Sequence, residues 1–337
     1  MKQDNSNRSE YVLGVDVGGT KINIGKAKRV CVPLEVKRYY TDSLNQDAII
    51  SSIIGSIEHY LANVCSYPPS AIGMGLVGHV SIEEGIWKSA INISVTEPMP
   101  ICAEIYDRFG IPVYIDNDVH MAALAEMTFG TGMMNADFIY INIGTGISAG
   151  LVFNGKIIKG ATNYAGEIGH LAFGAEDYTC KCGRKGCLEP IVSGGGMINM
   201  AKEAVQTNPN SSLAQYIKDN SLNAGTIFRE AKKGDVTAGN IAERAMSALE
   251  NTVVNLVNFM NPSFVIFGGG AIEKDFILNR LTKFVYKNVL PAASKGLKGI
   301  RVSALEPSLV GLIGASLAAW NALDAVDEKA IILKGEI

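Results

Sequence analysis

The sequence predicts an α/β protein of two similar lobes facing each other across a cleft, with a zinc knot in the larger lobe. Three observations lead there. Short apolar runs with strand character alternate with stretches of helical periodicity. A strand–turn–strand pattern occurs twice: Val12–Val17 before Gly18-Gly19-Thr20, and Phe138–Ile143 before Gly144-Thr145-Gly146, with positions 16 and 142, and 18 and 144, both 126 apart. Finally, His170, Cys180, Cys182 and Cys187 follow the spacing His-x9-Cys-x-Cys-x4-Cys and offer the three thiolates and one imidazole that suit tetrahedral zinc.

Composition narrows the functional classes. A chain of 337 residues accommodates one to three domains and a large core. Lys and Arg number 30 against 33 acidic residues, so no basic excess points to nucleic acid. Residues 1–9 are polar and lack the apolar stretch of a signal peptide. No run reaches the ~18 apolar residues of a membrane helix. Cys31, Cys65 and Cys102 are scattered among apolar neighbours and read as unpaired thiols, so the expected location is the cytoplasm.

Along the chain, Tyr11–Val17 reads as a buried strand, Gly18-Gly19-Thr20-Lys21 as a sharp turn and Ile22–Ala27 as a returning strand. The turn offers bare backbone N–H groups, a hydroxyl and a cation, which suit phosphate oxygens. It lacks the GxxxxGK[ST] spacing of a Walker loop, and a plain β-hairpin accounts for it equally. Asp16, at the strand end, is placed to orient magnesium through water. Ile49, Ile50, Ile53, Ile54, Ile57 and Leu61 recur at helical spacing over 47–64, and 71–76 is a short strand. Val77-Gly78-His79-Val80 and Ala90-Ile91-Asn92-Ile93 read as loop edges around a site.

Ile111–Ile115 is another strand. It runs through Asp116-Asn117-Asp118 into a helix from about Val119 to Phe129. Asp and Asn are ordinary helix caps, yet three in succession exceed what one cap requires, and a strand-to-helix junction holds such groups rigidly. After the second turn, Asn154-Gly155 closes a hairpin between Leu151–Phe153 and Lys156–Ile158. Residues 195–260 are mainly helical, with Ile241, Ala245, Leu249, Val253, Leu256 and Met260 on one face. Phe264–Phe267 is a strand ending in Gly268-Gly269-Gly270, a place where a flat ring can lie against backbone or, equally, where a tight turn is made. Small residues from Val310 to Ala319 suit the start of a closely packed helix.

In the cysteine cluster, Gly183 and Gly186 allow the chain to wrap tightly around an ion. The alternative is that the thiols are buried apolar groups or form a disulfide; Cys-x-Cys is too tight for the latter to be comfortable. Four protein ligands leave no open position, so the zinc is read as structural. Glu167 and Glu189 bracket the cluster with acids that zinc does not need and that are available to a substrate.

Taken together, Asp16-Val17-Gly18-Gly19-Thr20-Lys21, Asn117-Asp118, Gly144-Thr145-Gly146, Glu167-Ile168-Gly169-His170, Cys180 through Glu189 and Gly268-Gly269-Gly270 resemble the ROK family of sugar kinases and sugar-responsive repressors. That family belongs to the hexokinase/actin-like ATPase superfamily. The resemblance implies two actin-like (RNase H-like) lobes: a small one of residues 1–117 plus about 318–337, and a large one of 118–317 carrying the zinc site, the helical region and the adenine-binding turn. It implies an ATP-dependent hexose kinase, with glucose as default and N-acetylmannosamine, N-acetylglucosamine, allose or fructose as alternatives. Asp118 would be the general base at the acceptor hydroxyl, usually the one on C6. Gly78, Asn92, Asn117, Glu167, His170 and Glu189 would bind the sugar, His170 also binding zinc with the three cysteines. Gly18, Gly19, Thr20, Lys21, Gly144, Thr145 and Gly146 would hold the ATP phosphates, Asp16 would stand near Mg2+, and Gly268 and Gly269 would lie by adenine.

The chain departs from the family pattern at Val77, His79, Ile91 and His120, two of the three altered stretches being sugar loops. Relatives are commonly homodimers. A repressor of the family would carry a DNA-binding helix-turn-helix ahead of the kinase-like part. With ten residues before the first strand, no DNA binding is expected.

Overall fold

Apolar strands interrupted by glycine form the centre of the first sheet. The computed structural model describes residues 11–29, 33–42, 44–91, 93–133, 135–174, 178–270 and 274–333. It divides into two units: Met1–Phe129 with Lys159–Ala165 and Ser308–Ile337, and Gly130–Ile158 with Gly166–Pro307.

In the first unit, β1 (Val12–Val17) pairs antiparallel with β2 (Lys21–Ala27), and β2 with β3 (Leu34–Tyr40). Helix α1 (Gln46–Val64) follows; Asn45 caps it by accepting from the Ala48 N–H at 2.9 Å. Ile49, Ile53, Ile57 and Tyr60 of α1 enter the core, with Ile50, Ile54 and Leu61 packed at its margin. Strand β4 (Ile72–Leu76) lies parallel to β1. Between the two stretches read as loop edges, and overlapping the first, lies a two-stranded hairpin, β5 (His79–Ser81) and β6 (Ile86–Ser89), anchored by the buried Trp87. Helix α2 (Ile101–Phe109) leads to β7 (Val113–Asn117), parallel to β4, and then to α3 (Asp118–Phe129). The strand extends two residues further than the sequence suggests, so Asp116 and Asn117 belong to it and the helix begins at Asp118 with no loop between. The sheet order is β3-β2-β1-β4-β7, and the registers align Asp16 with Gly75 and Gly75 with Asp116.

The second unit repeats this plan. β8 (Phe138–Ile143), β9 (Ile147–Phe153) and β10 (Lys156–Ile157) form its antiparallel part. Asn154 and Gly155 adopt φ of 49° and 67°, the paired positive values of a type I′ turn. After a short 3-10 turn at Ile168–His170 come α4 (Glu189–Val192), α5 (Gly194–Thr207), α6 (Leu213–Lys218), α7 (Ala224–Lys232) and α8 (Val236–Met260) before β11 (Phe264–Gly268), and α9 (Lys274–Asn288) after it. α10 (Pro291–Gly296) precedes β12 (Gly299–Val302), and the order β10-β9-β8-β11-β12 mirrors the first sheet, with β8, β11 and β12 parallel. Ile241, Ala245, Leu249, Val253 and Leu256 of α8 are buried in the core of this unit.

The last helix, α11 (Val310–Leu333), packs on β1, β4 and α3 of the first unit. The approach is close: a Cβ at Gly73 would collide with the Ala315 carbonyl, which accounts for glycine in the middle of an otherwise apolar strand. Among the described residues, no helix is long and apolar enough to cross a membrane.

Candidate functional site

In a parallel sheet the C-terminal strand ends are the natural place for a ligand. In the first unit those of β1, β4 and β7 carry Asp16, the stretch Val77-Gly78 and the sequence Asn117-Asp118. Asp16 accepts a hydrogen bond from Asn23 Nδ2 at 3.3 Å. Burial raises the pKa of its carboxyl, while the Asn23 hydrogen bond and the Lys21 charge act the other way. The first turn of α11 lies against this carboxylate, and a Cβ at Gly311 would stand 2.6 Å from Asp16 Oδ1. The turn after β1 is a true hairpin: Gly18 N–H donates to the Lys21 carbonyl at 2.9 Å, and Thr20 and Lys21 are exposed.

At the β7–α3 junction the three Asx residues have separate environments. Asn117 is the helix cap: its Oδ1 accepts from the N–H groups of Val119 at 2.9 Å and His120 at 3.3 Å. Its Nδ2 donates to the Gly78 carbonyl at 3.0 Å, tying the β4 loop to the junction. Asp118 opens α3, half-buried, where the helix N-terminus favours a carboxylate. Asp116 is buried and gathers four donors: the Asn117 N–H at 2.7 Å, His120 Nδ1 at 3.0 Å, Lys159 Nζ at 2.8 Å and Asn163 Nδ2 at 3.0 Å. Burial by itself raises its pKa, but His120 and Lys159 outweigh it and hold the carboxyl at about 2. Asn92 lies outside the described residues.

In the second unit the turns after β8 and β11 are neighbours, because those strands pair directly and align Asn142 with Gly268. Gly144 N–H donates to the Gly146 carbonyl at 2.9 Å, and Thr145 is exposed at the tip. Gly269 has φ of 89°, and a Cβ there would collide with the Ile143 carbonyl; the position requires glycine to lay backbone across the end of β8.

Helix α5 falls in the stretch the sequence marks as helical, but no role is read there for its N-terminus. Ser193 caps it by accepting from Gly196 N–H at 3.0 Å, and the N–H groups of Gly194 and Gly195 donate to the carbonyls of Gly144 and Thr145 at 2.8 and 3.2 Å. A helix of 14 residues thus starts against the Gly144–Gly146 turn, adding a favourable environment for anions. Its signal was present as Ser193-Gly194-Gly195-Gly196, a cap followed by residues that let backbones approach closely.

His170, Cys180, Cys182 and Cys187 converge, with one donor atom from each lying within 4.8 Å of the others. Cys180 Sγ is 3.7 Å from His170 Nδ1, and Cys182 Sγ is 3.6 Å from Cys187 Sγ. Zinc–sulfur bonds of about 2.3 Å give a tetrahedron with edges of about 3.8 Å, so the donor set fits the ion in chemistry and spacing. Burial pushes the Cys182 thiol up, but the backbone and side chain of Arg184, with the neighbouring thiols, bring it down to about 7. Gly183 and Gly186 take φ of 84° and 82°, as the tight wrap demands.

Both acids adjoin the short turn that carries His170. Glu189 Oε2 accepts from the Ile147 N–H at 3.3 Å, and a Cβ on Gly169 would be 3.2 Å from Glu189 Cβ. His170 Nε2 lies 3.9 Å from Glu167 Oε2, so this imidazole presents Nδ1 to the thiols and Nε2 to the acid. Glu167, His170 and Glu189 form one cluster at the start of β9.

Comparison with known proteins gives the family and the fold. The ROK family profile matches residues 12–322. The chain is 30% identical over 310 residues to a glucokinase of Halalkalibacterium halodurans, covering 90% of this chain and 93% of that one. It is 28% identical to a xylose repressor of Caldicellulosiruptor bescii, covering 89% of this chain and 76% of the repressor. The structure is similar to that of a ROK family glucokinase from Streptomyces griseus in complex with glucose and AMPPNP, with TM-score 0.73, 25% identity, and coverage of 92% of this chain and 99% of that chain.

Proposed function

Because this chain belongs to the ROK family, we propose that it is an ATP-dependent hexose kinase that transfers the γ-phosphoryl group to a sugar hydroxyl, the 6-OH of glucose in the first instance. The observation that carries the reading is Asp118, set on the first turn of α3 directly at the end of β7, beside an Asn117 that is itself fixed to Gly78.

In this reading Asp118 takes the proton of the acceptor hydroxyl as the oxygen attacks phosphorus. Phosphoryl transfer asks for position and charge neutralisation more than covalent chemistry. A junction with no intervening loop supplies position. Gly78, Asn92, Asn117, Glu167, His170 and Glu189 bind the sugar; carboxylates are apt because they accept strong hydrogen bonds from hydroxyls. The turns at Gly18–Lys21 and Gly144–Gly146, with the N-terminus of α5, hold the phosphates, and Gly268 and Gly269 support the adenine. Asp16 is a hard oxygen donor of the kind magnesium takes through water, and the ion would neutralise charge on the phosphates. The zinc set fixes His170 and thereby the sugar-facing acids.

The test is ADP release over a panel of hexoses and N-acetylhexosamines with magnesium present. Sugar-dependent release that Asp118→Asn abolishes supports the proposal, and no release with any sugar refutes it. A second reading, a sugar-responsive regulator without catalysis, is favoured by the likeness to the xylose repressor. It requires a sugar-dependent shift of operon DNA in a gel. A homodimer is part of the first proposal and is checked by sedimentation.

A further inference from the structure

The segment Lys159–Ala165 belongs to the first unit, although the chain on either side of it belongs to the second. What holds it there is a set of side chains from the β4 and β7 ends. Asp116 takes Lys159 Nζ and Asn163 Nδ2. Asn163 Nδ2 also donates to the Val80 carbonyl at 3.1 Å. His79 Nε2 lies 2.8 Å from the Thr162 carbonyl, and its ring packs on Tyr164 with centroids 4.8 Å apart. His120 Nε2 lies 3.3 Å from the Ala165 carbonyl while its Nδ1 faces Asp116.

The clamp has a defined orientation. Asn163 sits at φ of 59°, a left-handed conformation that Asn tolerates. Its Nδ2 is held between two acceptors, which fixes the amide against a flip and leaves its buried Oδ1 with no donor among the described residues. An acceptor left this way costs about 1–3 kcal/mol, so the arrangement is not one that packing alone favours. The clamped residues adjoin the proposed sugar-binding ones: His79 follows Gly78, Asp116 precedes Asn117 and Asp118, and Ala165 is two residues before Glu167.

We propose that Asp116 is a positioning residue of the acceptor site, clamping segment 159–165, and through Asn163 the start of β5, onto the first turn of α3 so that the segment forms a fixed wall against which the sugar is held beside Asp118. The inference rests on the kinase reading above. It assigns His79 and His120, two of the positions at which the chain departs from the family pattern, to one structure. Discrimination among sugars then depends on the side chains the wall presents, Thr162 and Tyr164, both exposed.

Two variants test it. Asp116→Asn weakens the charged clamp. Asn163→Gly deletes two tethers at a φ that glycine adopts freely, so it is expected to fold. Kinetics are read with the best sugar of the panel, and trypsin cleavage after Lys159 is followed by mass spectrometry in the absence of substrates. The clamp predicts faster cleavage in both variants. It also predicts a sugar KM raised about tenfold, as for one lost hydrogen-bonded position, with the KM for ATP changed less than about twofold. Faster cleavage with an unchanged sugar KM overturns the proposal, as does an equal rise in both KM values. If the wild type turns over no sugar, the kinase reading fails, and sugar affinity by calorimetry then decides the clamp separately: weaker binding by both variants sustains it, and equal binding, or none by the wild type, overturns it.

Discussion

Replacing Asp116 with asparagine removes a charge from a site that is 10% exposed and faces His120 and Lys159. The carboxyl lies at about 2 in the folded protein against an ordinary 3.8. That difference corresponds to about 2–2.5 kcal/mol of folding free energy at neutral pH. Since the folded value is depressed, the contribution is present above pH 3.8 and is lost as pH falls toward about 2. The assay is urea unfolding followed by tryptophan fluorescence. The chain has two tryptophans, Trp87 and Trp320, both buried and both in the unit that contains Asp116, so the signal reports that unit. Wild type is expected to exceed Asp116→Asn by about 2 kcal/mol at neutral pH, and the gap is expected to close between about pH 4 and pH 2. A gap below about 0.5 kcal/mol at neutral pH, or one that does not narrow on acidification, would refute the reasoning.

Zinc analysis of the purified protein is expected to give about one ion per chain; Cys182→Ser lowers that content and destabilises the second unit, whereas retention of full zinc by the variant would contradict the ligand set. Gly311→Ala places a methyl 2.6 Å from Asp16 Oδ1 and is expected to raise the magnesium concentration needed for half-maximal activity by several-fold, with little change in sugar KM. An unchanged magnesium requirement would separate Asp16 from the metal.

Much of the frame was legible because it is local. The 126-residue repeat announced two similar lobes, since each repeat unit is a contiguous hairpin; the structure adds that their sheets share one strand order. The Cys3His set was legible because three of its ligands lie within eight residues of sequence and thiolates at that spacing have few other uses. At the β7–α3 junction the residues were identified but not their division of labour. Asn117 caps, whereas Asp116 is occupied by Lys159 and Asn163, which lie 43 and 47 residues away and carry no pattern linking them to it. The β5–β6 hairpin was missed because strands of three and four residues are too short to establish an alternation. The approach of α5 to the Gly144 turn depends on where a helix lands after some fifty residues of intervening chain, which no window of sequence holds.

The central claim is that Asp118 is the base for a sugar held by other groups. Asp118→Asn is nearly isosteric, and it separates chemistry from binding. Sugar affinity by calorimetry should stay within about threefold of wild type, while kcat for the best sugar falls by about 10²–10⁴. A variant that keeps more than about a tenth of wild-type kcat, or one that loses sugar affinity in proportion to its activity, would contradict the account.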